Sequence, residues 1–200
     1  MKTIAICLLL SVSLLLPHAV LRAEAQQNPK ETVQAHVDAV LKTLKTTKSK
    51  QQQRAEIIAQ ADRLFDFVEL SKRTLGLSWN KFSQDQRREF VDLYKGLLED
   101  TYIDRITAYS NEKVTFADAV PLGQNTMEVR STVQTKTGPV SINYRVINEN
   151  GQWKVYDVVI AGVSLIANYR SQFREILINQ SPEGLLDTLR HKEGGSKKES

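Results

Sequence analysis

Apolar residues recur along this chain with two different periods, and the switch between them divides it. Pro29 opens a run in which Val33, Val37, Val40, Leu41 and Leu44 fall three and four apart. That is the spacing of one helix face, so Lys30 to about Thr47 is predicted to be an amphipathic helix. The polar stretch Thr46 to Arg54 reads as a loop, and a second helix carries Ile57, Ile58, Ala61, Leu64 and Phe65. After Asp66 and Phe67, a shorter helix over Glu69 to Leu75 stops at Gly76, the residue type that best tolerates a left-handed C-terminal position. Ser83 with Gln86 three residues on is a capping box. Phe90, Leu93, Tyr94, Leu97, Leu98, Thr101, Tyr102, Ile106 and Tyr109 then keep one face for about seven turns, the strongest helical signal in the chain.

The period then drops to two. Lys113 to Ala119 is a candidate strand ended by Pro121 to Gly123. Asn125 to Lys136 alternates Met127, Val129, Ser131 and Val133 against Glu128, Arg130, Thr132 and Gln134, before Thr137-Gly138-Pro139 turns the chain. Val140 to Asn148 alternates in the same way, and Asn150-Gly151 supplies hairpin chemistry before Trp153 to Ile160. Ser164 can cap a helix bearing Leu165, Ile166, Tyr169, Phe173, Ile176 and Leu177; Ser181-Pro182 starts a last one with Leu185, Leu186 and Leu189. Helices, a meander and helices again predict an α+β fold: a four-stranded antiparallel curved sheet packed against several helices. A sheet curved against a long helix can enclose an apolar cavity. Its expected lining is Leu93, Leu97 and Ile106 from the long helix, Val129, Val133, Ile142, Tyr144 and Val146 from the strands, and Tyr169 with Phe173.

The N-terminus sets the compartment. Met1-Lys2, thirteen residues from Ile4 to Leu16, Pro17 and Ala23-Glu24-Ala25 have the basic start, apolar run and A-x-A site of a secretory signal peptide. Residues 1–25 are expected to be removed after about Ala25; residues 26–193 form a single domain and 194–200 a disordered tail. The apolar run is shorter than the about 20 residues that span a bilayer. Cys7, the only cysteine, would leave with the signal, so the exported chain has a core and no disulfide to stabilise it. Removing Lys2, Arg22 and Glu24 from 27 basic and 23 acidic residues leaves a net charge of +3. The basic residues are interspersed with acidic ones, apart from Lys197-Lys198, so the footprint of a nucleic-acid binder is missing.

Catalytic chemistry is thin. His36 and His191 have no second His or Cys at metal-ligand spacing and read as exposed polar residues. Gly162-Val163-Ser164 begins like a nucleophile elbow but continues Leu165-Ile166, without the second glycine, and Ser164 reads as a helix cap. Asp62, Asp66 and Glu69 could meet on adjoining turns, as surface acids often do. The expectation is a protein that is not an enzyme, with no metal and no cofactor.

Trp153-Lys154-Val155-Tyr156-Asp157-Val158, Gly162-Val163-Ser164-Leu165 and Asn168-Tyr169-Arg170-Ser171-Gln172-Phe173 together resemble the signature of the MlaC or toluene-tolerance family of periplasmic lipid-binding proteins. Phe65-Asp66-Phe67, Leu75-Gly76, Trp79, Phe90, Leu97-Leu98, Thr101-Tyr102 and Tyr109 extend the resemblance over about residues 30 to 190. Ala161 departs from it, standing where many members have an acidic residue. The resemblance implies a periplasmic carrier of glycerophospholipid between inner and outer membranes, with acyl tails in the cavity as cargo and head groups toward solvent. It implies an inner-membrane ABC transporter complex and an outer-membrane lipoprotein complex as partners. A hopanoid-carrying branch and a non-catalytic envelope adaptor are the alternatives. Arg145 and Arg170 are the candidates for contact with a head group, and Gly162 for a hinge during loading.

Overall fold

The computed structural model describes residues 28–108 and 113–196. The signal peptide, Cys7, Tyr109 and the Lys197-Lys198 pair lie outside the described residues. Helices and strands follow one another as α1 (Pro29–Leu44), α2 (Lys50–Leu64), α3 (Phe67–Leu75), a 3₁₀ turn (Gly76–Lys81), α4 (Gln84–Thr107), β1 (Lys113–Phe116), β2 (Val120–Gly123), β3 (Thr126–Thr135), β4 (Gly138–Glu149), β5 (Gln152–Ile160), β6 (Val163–Ser164), α5 (Leu165–Asn179) and α6 (Pro182–Ser196).

Local chemistry accounts for most of the boundaries. Ser83 and Gln86 form the reciprocal box that starts α4. The same device starts α2, where Ser49 Oγ accepts from Gln52 N and Gln52 Oε1 accepts from Ser49 N. The stretch that reads as a loop up to Arg54 is therefore helical from Lys50. A capping box outweighs a run of glutamines and lysines with few apolar residues, because it satisfies two helix-end donors at once. Gly76 ends α3 with φ +55°, the positive angle that glycine takes without a Cβ penalty. The last helix continues to Ser196, past Glu193, the expected end of the domain.

The sheet has six strands among the described residues instead of four, in the order β1-β3-β4-β5-β6 with β2 also on β3, every pair antiparallel. Both additions are short. β2 lies in the segment that reads as a turn; it pairs with the part of β3 that β1 leaves free, so β1 and β2 are two pieces of one interrupted edge. Pro121 fits there because an edge strand has positions whose N–H faces away from the ladder. β6 is a two-residue return of the chain against Val159 and Ile160. Asn150 and Gly151 take φ of +51° and +83°, in keeping with the hairpin expected between β4 and β5.

β5 bears a bulge. Arg145 stands opposite Asp157 and Val146 opposite Val155, so Tyr156 is the extra residue. One face of the sheet thus carries Val129, Val133, Ile142, Tyr144, Val146, Val155 and Val158. Alternation sends Glu128, Arg130, Arg145 and Asp157 to the other face, where Arg130–Glu128 and Arg145–Asp157 pair at 2.9 and 3.1 Å. The apolar face meets the helices in a core that includes Leu70, Phe90, Tyr94, Leu185, Leu186, Val129, Val146 and Val155, all essentially without solvent contact. Phe65 bridges to Val155, and Asp66 N donates to Val155 O, fixing the α2–α3 junction on β5.

Candidate functional site

The core does not fill the whole apolar face. Towards Val133, Val140 and Ile160 the helices stand off the sheet and leave a cavity of about 390 Å³. Its floor is Val114, Val133, Val140, Ile142, Tyr144, Val158 and Ile160. Val37, Val40, Leu41 and Leu44 of α1, Ile57, Ile58 and Leu64 of α2, and Leu98, Tyr102, Ile103 and Ile106 of α4 form the walls. Apart from the two tyrosines, only His36, Gln60, Glu99 and Arg105 bring polar or charged groups to the lining. Such a lining has little to offer a polar ligand and favours alkyl chains.

Single amphipathic stripes serve both regions. On α1, Val33 is fully buried in the core, whereas Val37, Val40, Leu41 and Leu44 are only half-buried and line the cavity. On β4, Val146 is fully buried and Val140, Ile142 and Tyr144 are half-buried cavity residues. Half-burial of so many apolar side chains has a physical reason: their free surface faces an internal space.

The ten residues expected around the cavity divide accordingly. Ile106, Val133, Ile142 and Tyr144 line it. Val129 and Val146 share the correct face but lie in the packed core. Tyr169 and Phe173 belong to an aromatic cluster, with ring centroids 5.2 Å each from Tyr94 and with Phe173 5.5 Å from Phe90. Leu93 and Leu97 pack against that core from α4. The α4 stripe is broad enough to serve core and cavity together, and its cavity side is the Leu98, Tyr102, Ile106 edge. The α1 and α2 walls are not singled out by sequence reading, although the Val37-Val40-Leu41-Leu44 spacing is the signal that could have found them.

The two arginines expected at a head group have protein partners away from the cavity. Arg145 is on the opposite face with Asp157, and Arg170 Nη2 donates to Arg73 O at 2.6 Å. Neither lines the cavity. His36 is half-buried on the cavity wall, not an exposed polar residue, with Nδ1 2.9 Å from Gln60 Oε1. Of the acids that spacing groups together, Asp62 pairs with Lys95, whereas Asp66 Oδ1 caps α3 by accepting from Glu69 N and Glu69 pairs with Arg73. Ser164 caps α5, accepting from Ala167 N at 3.1 Å, as expected.

The open side of Tyr144 faces the cavity and not bulk solvent, and this burial pushes its phenol up to about 12, opposed by a hydrogen bond with Ser131. Burial pushes Glu99 up as well, with Lys95 working against it. Tyr94, deeper still and 3.4 Å from Thr74 Oγ1, is held far above the ordinary phenol range. All three shifts reflect a poorly solvated interior. No described helix is long and apolar enough to cross a membrane.

A helix-covered antiparallel sheet with an apolar cavity beneath the helices has the architecture of a protein that binds apolar small molecules. The family model described as MlaC protein matches residues 34–191, and the chain belongs to that family. It is 28% identical over 177 residues to the intermembrane phospholipid transport system binding protein MlaC of Haemophilus influenzae, covering 84% of this chain and 83% of that protein. It is 25% identical over 160 residues to the toluene tolerance protein ttg2D of Pseudomonas putida, covering 76% of this chain and 74% of that one. Among solved structures, the phospholipid-binding protein of Ralstonia solanacearum, in complex with a phospholipid, is similar with a TM-score of 0.78 and 26% identity. That match covers 86% of this chain and 99% of the solved one.

Proposed function

We propose that this protein is a periplasmic phospholipid carrier that holds acyl tails in the cavity and shuttles lipid between the inner and outer membranes. The observation that carries the reading is the cavity itself: about 390 Å³ of space, walled almost wholly by aliphatic and aromatic side chains, in a chain of a family whose relative is named a phospholipid transport binding protein. Moving a lipid tail from membrane to water costs about 0.8 kcal/mol per CH₂, so two tails of some fifteen carbons cost on the order of 20 kcal/mol. No soluble shuttle works without a compartment that offsets most of this. A lining of valine, leucine and isoleucine approximates the bilayer interior without exceeding it, so the cargo can also leave. The bound lipid is cargo, not a cofactor, and no reaction is assigned to the cavity.

The shuttle takes lipid from one membrane complex and passes it to another; an inner-membrane ABC transporter complex and an outer-membrane lipoprotein complex are the proposed partners. Transfer of a fluorescent phospholipid between donor and acceptor vesicles tests the carrier function. Transfer that rises in proportion to added protein supports it; transfer no faster than in buffer refutes it.

A further inference from the structure

We propose that Arg105 reads the phosphate of the cargo's head group at the cavity mouth. The inference rests on the carrier reading above and assigns the residue that distinguishes a phospholipid from an uncharged lipid with the same tails.

Three of the four polar lining side chains are already engaged. His36 Nδ1 lies 2.9 Å from Gln60 Oε1, so those two satisfy each other. Glu99 has a charge partner in Lys95, whose Nζ lies 3.7 Å away and also pairs with Asp62. Arg105 is different. Among the described residues it makes no ion pair and no hydrogen bond; its guanidinium carbon sits 5.8 Å from the centroid of the Tyr102 ring. Its neighbour in sequence, Asp104, is turned towards Arg54 at 3.6 Å. Arg54, Arg73, Arg145 and Arg190 all have carboxylate partners.

Its position suits the role. Arg105 both lines the cavity and is exposed to solvent, which places it where the apolar interior meets water. It lies on α4 about one turn beyond Tyr102 and beside Ile106, both cavity residues. Stacking against Tyr102 restricts the guanidinium fork while its N–H groups stay available. A lipid whose tails fill the cavity has its head at this boundary. An unpaired guanidinium there offers two parallel N–H donors to phosphate oxygens, a geometry that lysine's point charge does not reproduce.

The test is competition between two lipids with identical chains. The wild-type protein, Arg105→Met and Arg105→Lys are each equilibrated with vesicles containing equimolar dioleoyl phosphatidylglycerol and dioleoyl glycerol, and the bound lipids are extracted and quantified. Wild type is expected to favour the phosphate-bearing lipid by roughly tenfold, the scale of one charge-assisted contact at a half-wet site. Arg105→Met should bring the ratio near unity by losing phospholipid, with uptake of the glycerol lipid unchanged; Arg105→Lys should retain part of the preference. A wild-type ratio near unity, a ratio that Arg105→Met leaves unmoved, or an equal loss of both lipids overturns the assignment. Failure of wild type to take up either lipid would instead overturn the carrier reading itself.

Discussion

Asp157 accepts a hydrogen bond from Ser164 Oγ at 2.7 Å, joining the last long strand to the residue that caps α5. The same carboxylate accepts from Ile166 N and from Arg145 Nη1, both at 3.1 Å, and only 1% of the residue is exposed. Ser164 in turn accepts from Ala167 N, so one buried acid organises the first turn of the helix that supplies Tyr169 and Phe173 to the core. Removing it leaves Arg145 with only its longer contact to Glu128, at 3.6 Å, and a backbone donor without its partner. Asp157→Ala should lower unfolding free energy by about 3 kcal/mol, the scale for breaking a buried, hydrogen-bonded ion pair from one side. Asp157→Asn, which keeps one acceptor oxygen, should cost less. Urea denaturation of the three proteins measures the series; an Ala variant as stable as wild type would mean the carboxylate has no structural role.

Ile142 and Val146 share one face of β4 and should nevertheless respond differently to an introduced charge. Ile142→Asp, like Val133→Asp on the neighbouring strand, should leave the protein folded and lower its lipid content, because the acid projects into a space that water can enter once lipid is absent. Val146→Asp places the same charge in packed core with no solvent contact and should unfold the protein. Circular dichroism with lipid extraction separates the two effects. If Ile142→Asp keeps full lipid loading, the sheet is not the floor of the binding site.

The β5–β6 turn holds a mild defect next to a necessary glycine. Ala161 and Gly162 take φ of +49° and +84°. Alanine in that region costs roughly 1 kcal/mol, which asparagine largely avoids, so Ala161→Asn should stabilise by about that amount. Gly162→Ala should destabilise by a similar amount, although its Cβ would meet nothing within 4 Å; the cost is conformational, not steric. The turn alone therefore accounts for a glycine at this position, without a hinge. Thermal melts of the two variants shifting in opposite directions would bear this out, and a Gly162→Ala protein as stable as wild type would contradict it.

Stability should also fall in strong alkali. With its phenol pushed up to about 12, folded Tyr144 keeps its proton where the unfolded chain, titrating near the ordinary value of about 10, has lost it. The folded state therefore binds more protons between about pH 10 and 12, and stability decreases as pH rises through that window. Tyr94, raised further, adds to the same trend. Tyr144→Phe should make the decline shallower. A decline equally steep in the variant would show that Tyr144 is not a responsible group.

How far the sequence reveals this structure follows from which signals are local. The Ser83 capping box, the Ser164 cap, the Asn150-Gly151 turn and the two periodicities are written in nearby residues, so α4, α5 and the three long strands were legible, although the equally local Ser49 box went unread. β2 and β6 were not, because strands of four and two residues exist only through the neighbours they pair with. The cavity was legible as a face and not as a place on it. Ile142 and Val146, two apolar residues on the same face of β4, have the same pattern signature. Which one touches packed side chains and which touches empty space depends on where along the strand the helices come down on the sheet. Arg105 was hidden for a related reason, since its lack of a counter-ion among the described residues is visible only once the nearby acids have been placed.

Whether the cavity holds lipid is read most directly by native mass spectrometry of the gently purified protein. A lipid carrier should show a mass above that of the polypeptide by a bound phospholipid, released on denaturation and less abundant in Ile142→Asp. A protein that carries no lipid when isolated, and gains none after incubation with phospholipid vesicles, would contradict it.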